Sequence, residues 1–163
     1  MAERKLRILV ADDSPTVLRV LCEMIRDHPE SAMVPIGVGT IRAVFEELEA
    51  AERPGNDKID CLLLDMVLPN GDGLEPFLRI RERFPHLPVV IITGHDHDGL
   101  EAEVIGMGAK AFIRKPPKAT LLVETLVRAM KKKEVLDRPL HKEWEKATKD
   151  LEDSVYPYQS TRR

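Results

Sequence analysis

The stretch LRILVADDSPTV, Leu6–Val17, closes a short, largely apolar run on two adjacent aspartates and then restarts on Ser-Pro. A run of this length, rich in Leu, Ile and Val, reads as a strand buried on both faces of a sheet. Ser14 is a natural N-cap, and Pro15 suits the first helical position, where a missing N–H costs nothing. Val17, Leu18, Leu21, Cys22 and Ile25 then recur at helical spacing, which predicts a helix over Pro15–Asp27. Neighbouring carboxylates repel and resist desolvation, so a cation is expected where Asp12 and Asp13 sit.

The strand-then-helix pattern repeats along the chain. Further strands are expected at Ala32–Val38, Ile59–Leu64, Val89–Thr93 and Ala109–Arg114. Pro35 interrupts the first of these, which is better placed at or near a sheet edge. Helices are expected at Thr40–Ala51, at Asp72–Phe84, at Gly99–Met107 and at Pro117–Lys133. Asp72 with Glu75 resembles a capping box, which requires Pro76 to stay within the first turn. Five alternating strands and helices predict a doubly wound α/β fold, a parallel sheet covered on both faces. Ligand sites in such sheets lie beyond the carboxyl ends of the strands, where strand order reverses.

Four of the five strand ends carry chemistry. The first ends at Asp12 and Asp13, the third at Asp65, the fourth at Thr93 and the fifth at Lys115. Three close carboxylates do not all stay ionised without a counter-charge, and an all-oxygen donor set selects a hard ion such as Mg²⁺. Such a pocket suits a phosphoryl group. Asp65, at the start of a loop, is the best candidate nucleophile. Thr93 is placed to donate to a phosphoryl oxygen and Lys115 to neutralise its charge. Singly, an aspartate after a strand is most often an ordinary turn former or helix cap. The argument rests on their conjunction. Asp60, at the far end of the third strand, reads as a plain strand-start residue.

The remaining totals exclude several classes. A length of 163 residues suits one domain with an appendage, and 43% hydrophobic with 33% charged residues reads as globular. The net charge of −3 lacks the basic excess of a nucleic-acid-binding surface, so no DNA binding is expected. No apolar run approaches a membrane span, and no secretory signal is recognised, so a cytoplasmic protein is expected. Cys22 and Cys61 lie inside apolar patterns and read as reduced core residues.

Taken together, the acid pair Asp12–Asp13, the D-x-x-L-P-x-x-x-G run from Asp65 through Pro69 to Gly73, Thr93 and Lys115–Pro116 resemble the response-regulator receiver domain of two-component signalling. The resemblance covers about residues 5–133. It implies a flavodoxin-like strand order of 2-1-3-4-5. It also implies that Asp65 takes a phosphoryl group from a sensor histidine kinase or phosphotransfer protein. Asp13, Asp65 and the backbone carbonyl of Val67 would bind Mg²⁺ directly, with Asp12 acting largely through water. Thr93 and Lys115 would hold phosphoryl oxygens, and Lys115–Pro116 would be a cis peptide. Phe112, three positions before the lysine, would be the aromatic that relays the change to an output partner. Many relatives carry Tyr there, so Phe112 lacks the hydroxyl handle; a fixed core phenylalanine is the alternative. No separate substrate turnover is expected.

Two other readings stay open. One is a degenerate receiver serving as a binding scaffold. The other is a haloacid-dehalogenase-like phosphatase, although Val67 stands where that family places its second aspartate. The run GHDHDG, Gly94–Gly99, reads as a polar loop in which His95 modulates access to the site, rather than as a metal cluster. Residues 134–163 form an expected C-terminal extension. Leu140, Trp144, Ala147 and Leu151 recur at heptad-like spacing there, which is compatible with a docked helix, a homodimer through residues 140–155 or a linker to an output domain.

Overall fold

In the computed structural model, residues 4–68, 74–95 and 98–136 are described. Five strands alternate with five helices: β1 (Leu6–Ala11), α1 (Pro15–Asp27), β2 (Met33–Val38), α2 (Ile41–Glu52) and β3 (Cys61–Asp65), followed by α3 (Leu74–Arg83), β4 (Val89–Thr93), α4 (Leu100–Gly106), β5 (Ala111–Arg114) and α5 (Ala119–Leu136). All strand pairs are parallel and the order is β2-β1-β3-β4-β5. The alternation led to a parallel, doubly wound sheet, and the strand order is the flavodoxin-like one that the receiver resemblance implied.

The pleat sorts the strand residues onto two cores. Leu9, Ala11, Leu62, Leu64, Val89 and Ile91 pack with Val44 and Leu48 of α2, Phe77 and Ile80 of α3, and Leu100 and Val104 of α4. Ile8, Val10, Cys61, Leu63, Val90 and Ile92 turn the other way, onto α1 and onto Leu122, Val123 and Leu126 of α5. β3 and β4 are buried along their whole length. This explains why they read as unbroken apolar runs rather than as alternating ones.

β2 is an edge strand, in keeping with Pro35. The Leu6 N–H donates to the Ala32 carbonyl at 3.0 Å and the Asp12 N–H to the Val38 carbonyl at 3.1 Å. Even-numbered residues of β2 therefore face β1, and Pro35 falls on the outward register. Its missing N–H removes no ladder bond and leaves one donor fewer on the open edge.

Local capping agrees with the sequence. The Ser14 hydroxyl accepts from the Val17 N–H and the Thr40 hydroxyl from the Ala43 N–H. Glu75 and Pro76 lie in the first turn of α3; Asp72, the expected partner in its capping box, lies outside the described residues. Several element ends differ from expectation. β3 begins at Cys61 and runs through Asp65, because Asp60 is occupied in fastening β1: its carboxylate accepts from the Arg7 N–H at 2.8 Å and pairs with Arg4. β5 begins two residues later than expected, after a turn in which the Lys110 N–H already donates to the Val89 carbonyl.

The chain divides into two compact units, residues 1–130 and 131–163. The expected boundary at residue 133 falls inside α5, and the heptad-like seam of residues 140–155 lies outside the described residues. No helix among the described residues is long and apolar enough to cross a membrane.

Candidate functional site

Four of the five strands deliver the site at their carboxyl ends. β1 runs into Asp12 and Asp13, β3 terminates on Asp65, β4 on Thr93, and Lys115 follows β5 directly. The parallel register brings these ends to one edge, so residues 50 and 103 positions apart meet there.

Ligand oxygens of Asp12, Asp13 and Asp65 all lie within 4.8 Å of one another. Asp12 and Asp65 are buried, at 1% and 4% exposure, while Asp13 is exposed. Each buried carboxylate is aimed by a backbone amide. The Ser14 N–H donates to Asp12 Oδ1 at 2.9 Å, and the Val67 N–H donates to Asp65 Oδ1 at 3.0 Å. Their other oxygens share one ammonium: Lys115 Nζ donates to Asp65 Oδ2 at 2.9 Å and also to Asp12 Oδ2.

The electrostatics follow from this packing. Burial pushes the Asp65 carboxyl above the usual carboxylate range, and the nearby Asp12 charge adds to that; the Val67 amide and Lys115 oppose it without cancelling it. Burial works against the Lys115 ammonium, yet its bonds and charge interactions with Asp12 and Asp65 prevail and hold its pKa above the ordinary lysine value. Lys115 is thus the counter-charge the acids require within the protein itself. Sequence reasoning assigned it only to phosphoryl oxygens, because its contact with Asp12 leaves no trace in local spacing.

Whether the acids suit a divalent ion is a matter of donor type and spread. Octahedral Mg²⁺ with oxygens at about 2.1 Å separates opposite ligands by about 4.2 Å. Three carboxylates within 4.8 Å come close to that span, and all donors are hard oxygens. The residues fit the ion.

Thr93 is buried at 1% exposure, and its hydroxyl is turned to its own loop. Oγ1 donates to the His95 carbonyl and accepts from the His95 N–H, both at 3.1 Å. His95 therefore meets the site through its backbone, and its side chain is exposed. Phe112 is half-buried against the α2–α3–α4 side of the sheet. Lys115–Pro116 is a cis peptide. Val67 contributes its N–H to Asp65 and is itself 46% exposed. Cys61 is fully buried, its thiol pushed up to about 12 by burial first, and Cys22 is raised for the same main reason. Both are free and buried, away from the acids' chemistry.

Fold and site together define a doubly wound α/β protein with a lysine-braced acidic pocket at its switch point. The response regulator receiver domain model matches residues 8–127, and the chain belongs to that family. The chemotaxis protein CheY of Listeria monocytogenes is 28% identical over 126 residues, 77% of this chain and 99% of that protein. A protein-glutamate methylesterase/protein-glutamine glutaminase of Rhodopseudomonas palustris is 32% identical over 118 residues, 71% of this chain but 30% of that protein. The chain thus spans under a third of the length of the methylesterases it matches. A response regulator receiver domain protein from Clostridium thermocellum superposes with a TM-score of 0.69 at 24% identity, covering 80% of this chain and 98% of that one. That likeness concerns the fold.

Proposed function

We propose that this receiver is a phosphorylation-operated switch in which Asp65 is the acceptor. The observation that best supports this is the three-aspartate cluster with Lys115 bonded to two of its members. A carboxylate oxygen of Asp65 attacks the phosphorus of a phosphohistidine on a sensor histidine kinase or phosphotransfer protein. The P–N bond breaks, the phosphohistidine ring, already protonated on its other nitrogen, leaves as neutral imidazole, and an acyl phosphate remains on Asp65. Mg²⁺ bound by Asp13, Asp65 and the Val67 carbonyl, with Asp12 reaching it largely through water, would neutralise charge on the transferred oxygens. Lys115 turns from Asp12 to a phosphoryl oxygen. Thr93 exchanges its bond to the His95 carbonyl for another phosphoryl oxygen, and Phe112 follows into the space released. His95, carried by the loop that Thr93 lets go, governs access of water. An output partner reads the rearranged face.

Incubation with Mg²⁺ and acetyl phosphate, followed by intact-mass measurement, tests the reading. A gain of one phosphate that Asp65→Asn abolishes and that chelation of Mg²⁺ prevents is expected. No gain by folded protein would leave a receiver that acts only as a scaffold.

A further inference from the structure

Phe112 has a cationic neighbour on its own strand. The Arg114 guanidinium carbon lies 5.4 Å from the centre of the Phe112 ring, and the same side chain reaches Glu101 at 3.4 Å. Positions two apart on a strand share a face, so Phe112 and Arg114 project from the same side of β5. Arg114 is also the register partner of Thr93 across β4 and β5. Glu101 lies in the first turn of α4, the helix that follows the Thr93–His95 loop. One side chain therefore touches the aromatic ring and the helix, one strand away from the buried hydroxyl.

We propose that Arg114 is a positioning residue that holds Phe112 and α4 in the resting arrangement, through its stack on the ring and its ion pair with Glu101. The proposal rests on the phospho-acceptor reading of Asp65. In that reading the arrangement seen is the resting one, with Thr93 Oγ1 bonded to His95 and Lys115 to both Asp65 and Asp12. Inward movement of Phe112 takes the ring from beneath the guanidinium. The stack then exists in only one of two states, and such an interaction shifts their balance by its own strength. An exposed cation–π contact shifts it about two- to fivefold, and an exposed ion pair contributes a similar or smaller factor. Arg114 thereby supplies the polar readout that a phenylalanine, lacking a hydroxyl, does not provide itself.

The test titrates beryllofluoride with Mg²⁺ into the full chain, with 4-fluorophenylalanine at position 112 as a ¹⁹F reporter of ring environment. Arg114→Ala is expected to tighten apparent beryllofluoride affinity about three- to tenfold. Glu101→Gln is expected to do so less, and the double variant to match Arg114→Ala alone. Arg114→Lys, which keeps the charge but stacks poorly, falls between native and Arg114→Ala. Unchanged or weaker affinity in Arg114→Ala, or additive effects in the double variant, overturns this proposal alone. Failure of the native chain to bind beryllofluoride overturns the phospho-acceptor reading and this proposal with it.

Discussion

Lys115 Nζ stands 2.9 Å from Asp65 Oδ2 and holds Asp12 with the same ammonium, so one cation braces two buried carboxylates. Removing it strands both. Breaking a buried pair from one side costs more than the pair contributes, because the remaining charge keeps its desolvation penalty. Lys115→Met is therefore expected to destabilise the metal-free protein by about 2–4 kcal/mol. Mg²⁺ should recover part of that loss, since the ion then meets carboxylates with no competing ammonium. Urea denaturation with and without Mg²⁺ measures both effects, and equal stability of variant and native chain without metal would refute the bracing role.

The same geometry sets a pH dependence. Asp65 is raised above the usual carboxylate range, so the folded state holds its proton more tightly than the unfolded chain. Stability then falls as pH rises from the ordinary carboxylate value through the raised one, and the loss is complete above it. Asp65→Asn lacks this slope. Without metal, its stability relative to the native chain should increase across that acid window and level off beyond it. Lys115 is raised too, so its contribution is intact below its ordinary value of 10.5 and lost as pH climbs through the raised value. Denaturation midpoints from mildly acid to strongly alkaline pH would show both limbs. A native–variant difference that does not change across the acid window would exclude the Asp65 contribution.

How far the sequence could be read depends on the range of the signal. The strands were legible because burial on both faces writes itself as unbroken Val, Ile and Leu, as in Leu62–Leu64 and Val89–Ile92. The site positions were legible for a related reason: Asp12, Asp65, Thr93 and Lys115 fall where those runs stop. What was hidden involves partners far apart in sequence. Asp60 fastening Arg7, Lys115 reaching Asp12 and Arg114 reaching Glu101 obey no period. α4 stops one residue inside its expected bounds at each end, between Gly99 at a φ of +87° and the turn that Gly108 closes at +103°.

Pro35 makes a prediction about association. It sits on the outward register of the edge strand, where a residue with an N–H would complete a row of donors open to another chain. Pro35→Val should leave the β1–β2 ladder intact and cost at most about 1 kcal/mol through the freer unfolded chain. It should also raise self-association, seen as larger mass in light scattering at high protein concentration. Unaltered mass with a folded variant would show that the proline does not guard the edge.

Gly108 joins α4 to β5 under two separate constraints. Its φ of +103° completes a helix end in which the Gly108 N–H donates to the Ile105 carbonyl and the Ala109 N–H to the Val104 carbonyl, both at 3.0 Å. A Cβ there would also lie 2.8 Å from Nε and 2.9 Å from Nη2 of Arg81, a side chain on α3 held by its bond to the Pro85 carbonyl at 3.1 Å. Gly108→Ala should therefore cost about 1–2 kcal/mol for the backbone alone, and more for displacing the guanidinium. Only the second cost depends on Arg81. In an Arg81→Ala background, Gly108→Ala should retain the backbone penalty and shed the rest, giving a coupling above about 0.5 kcal/mol in a double-mutant cycle. Strict additivity would mean that the guanidinium yields freely to the added methyl group.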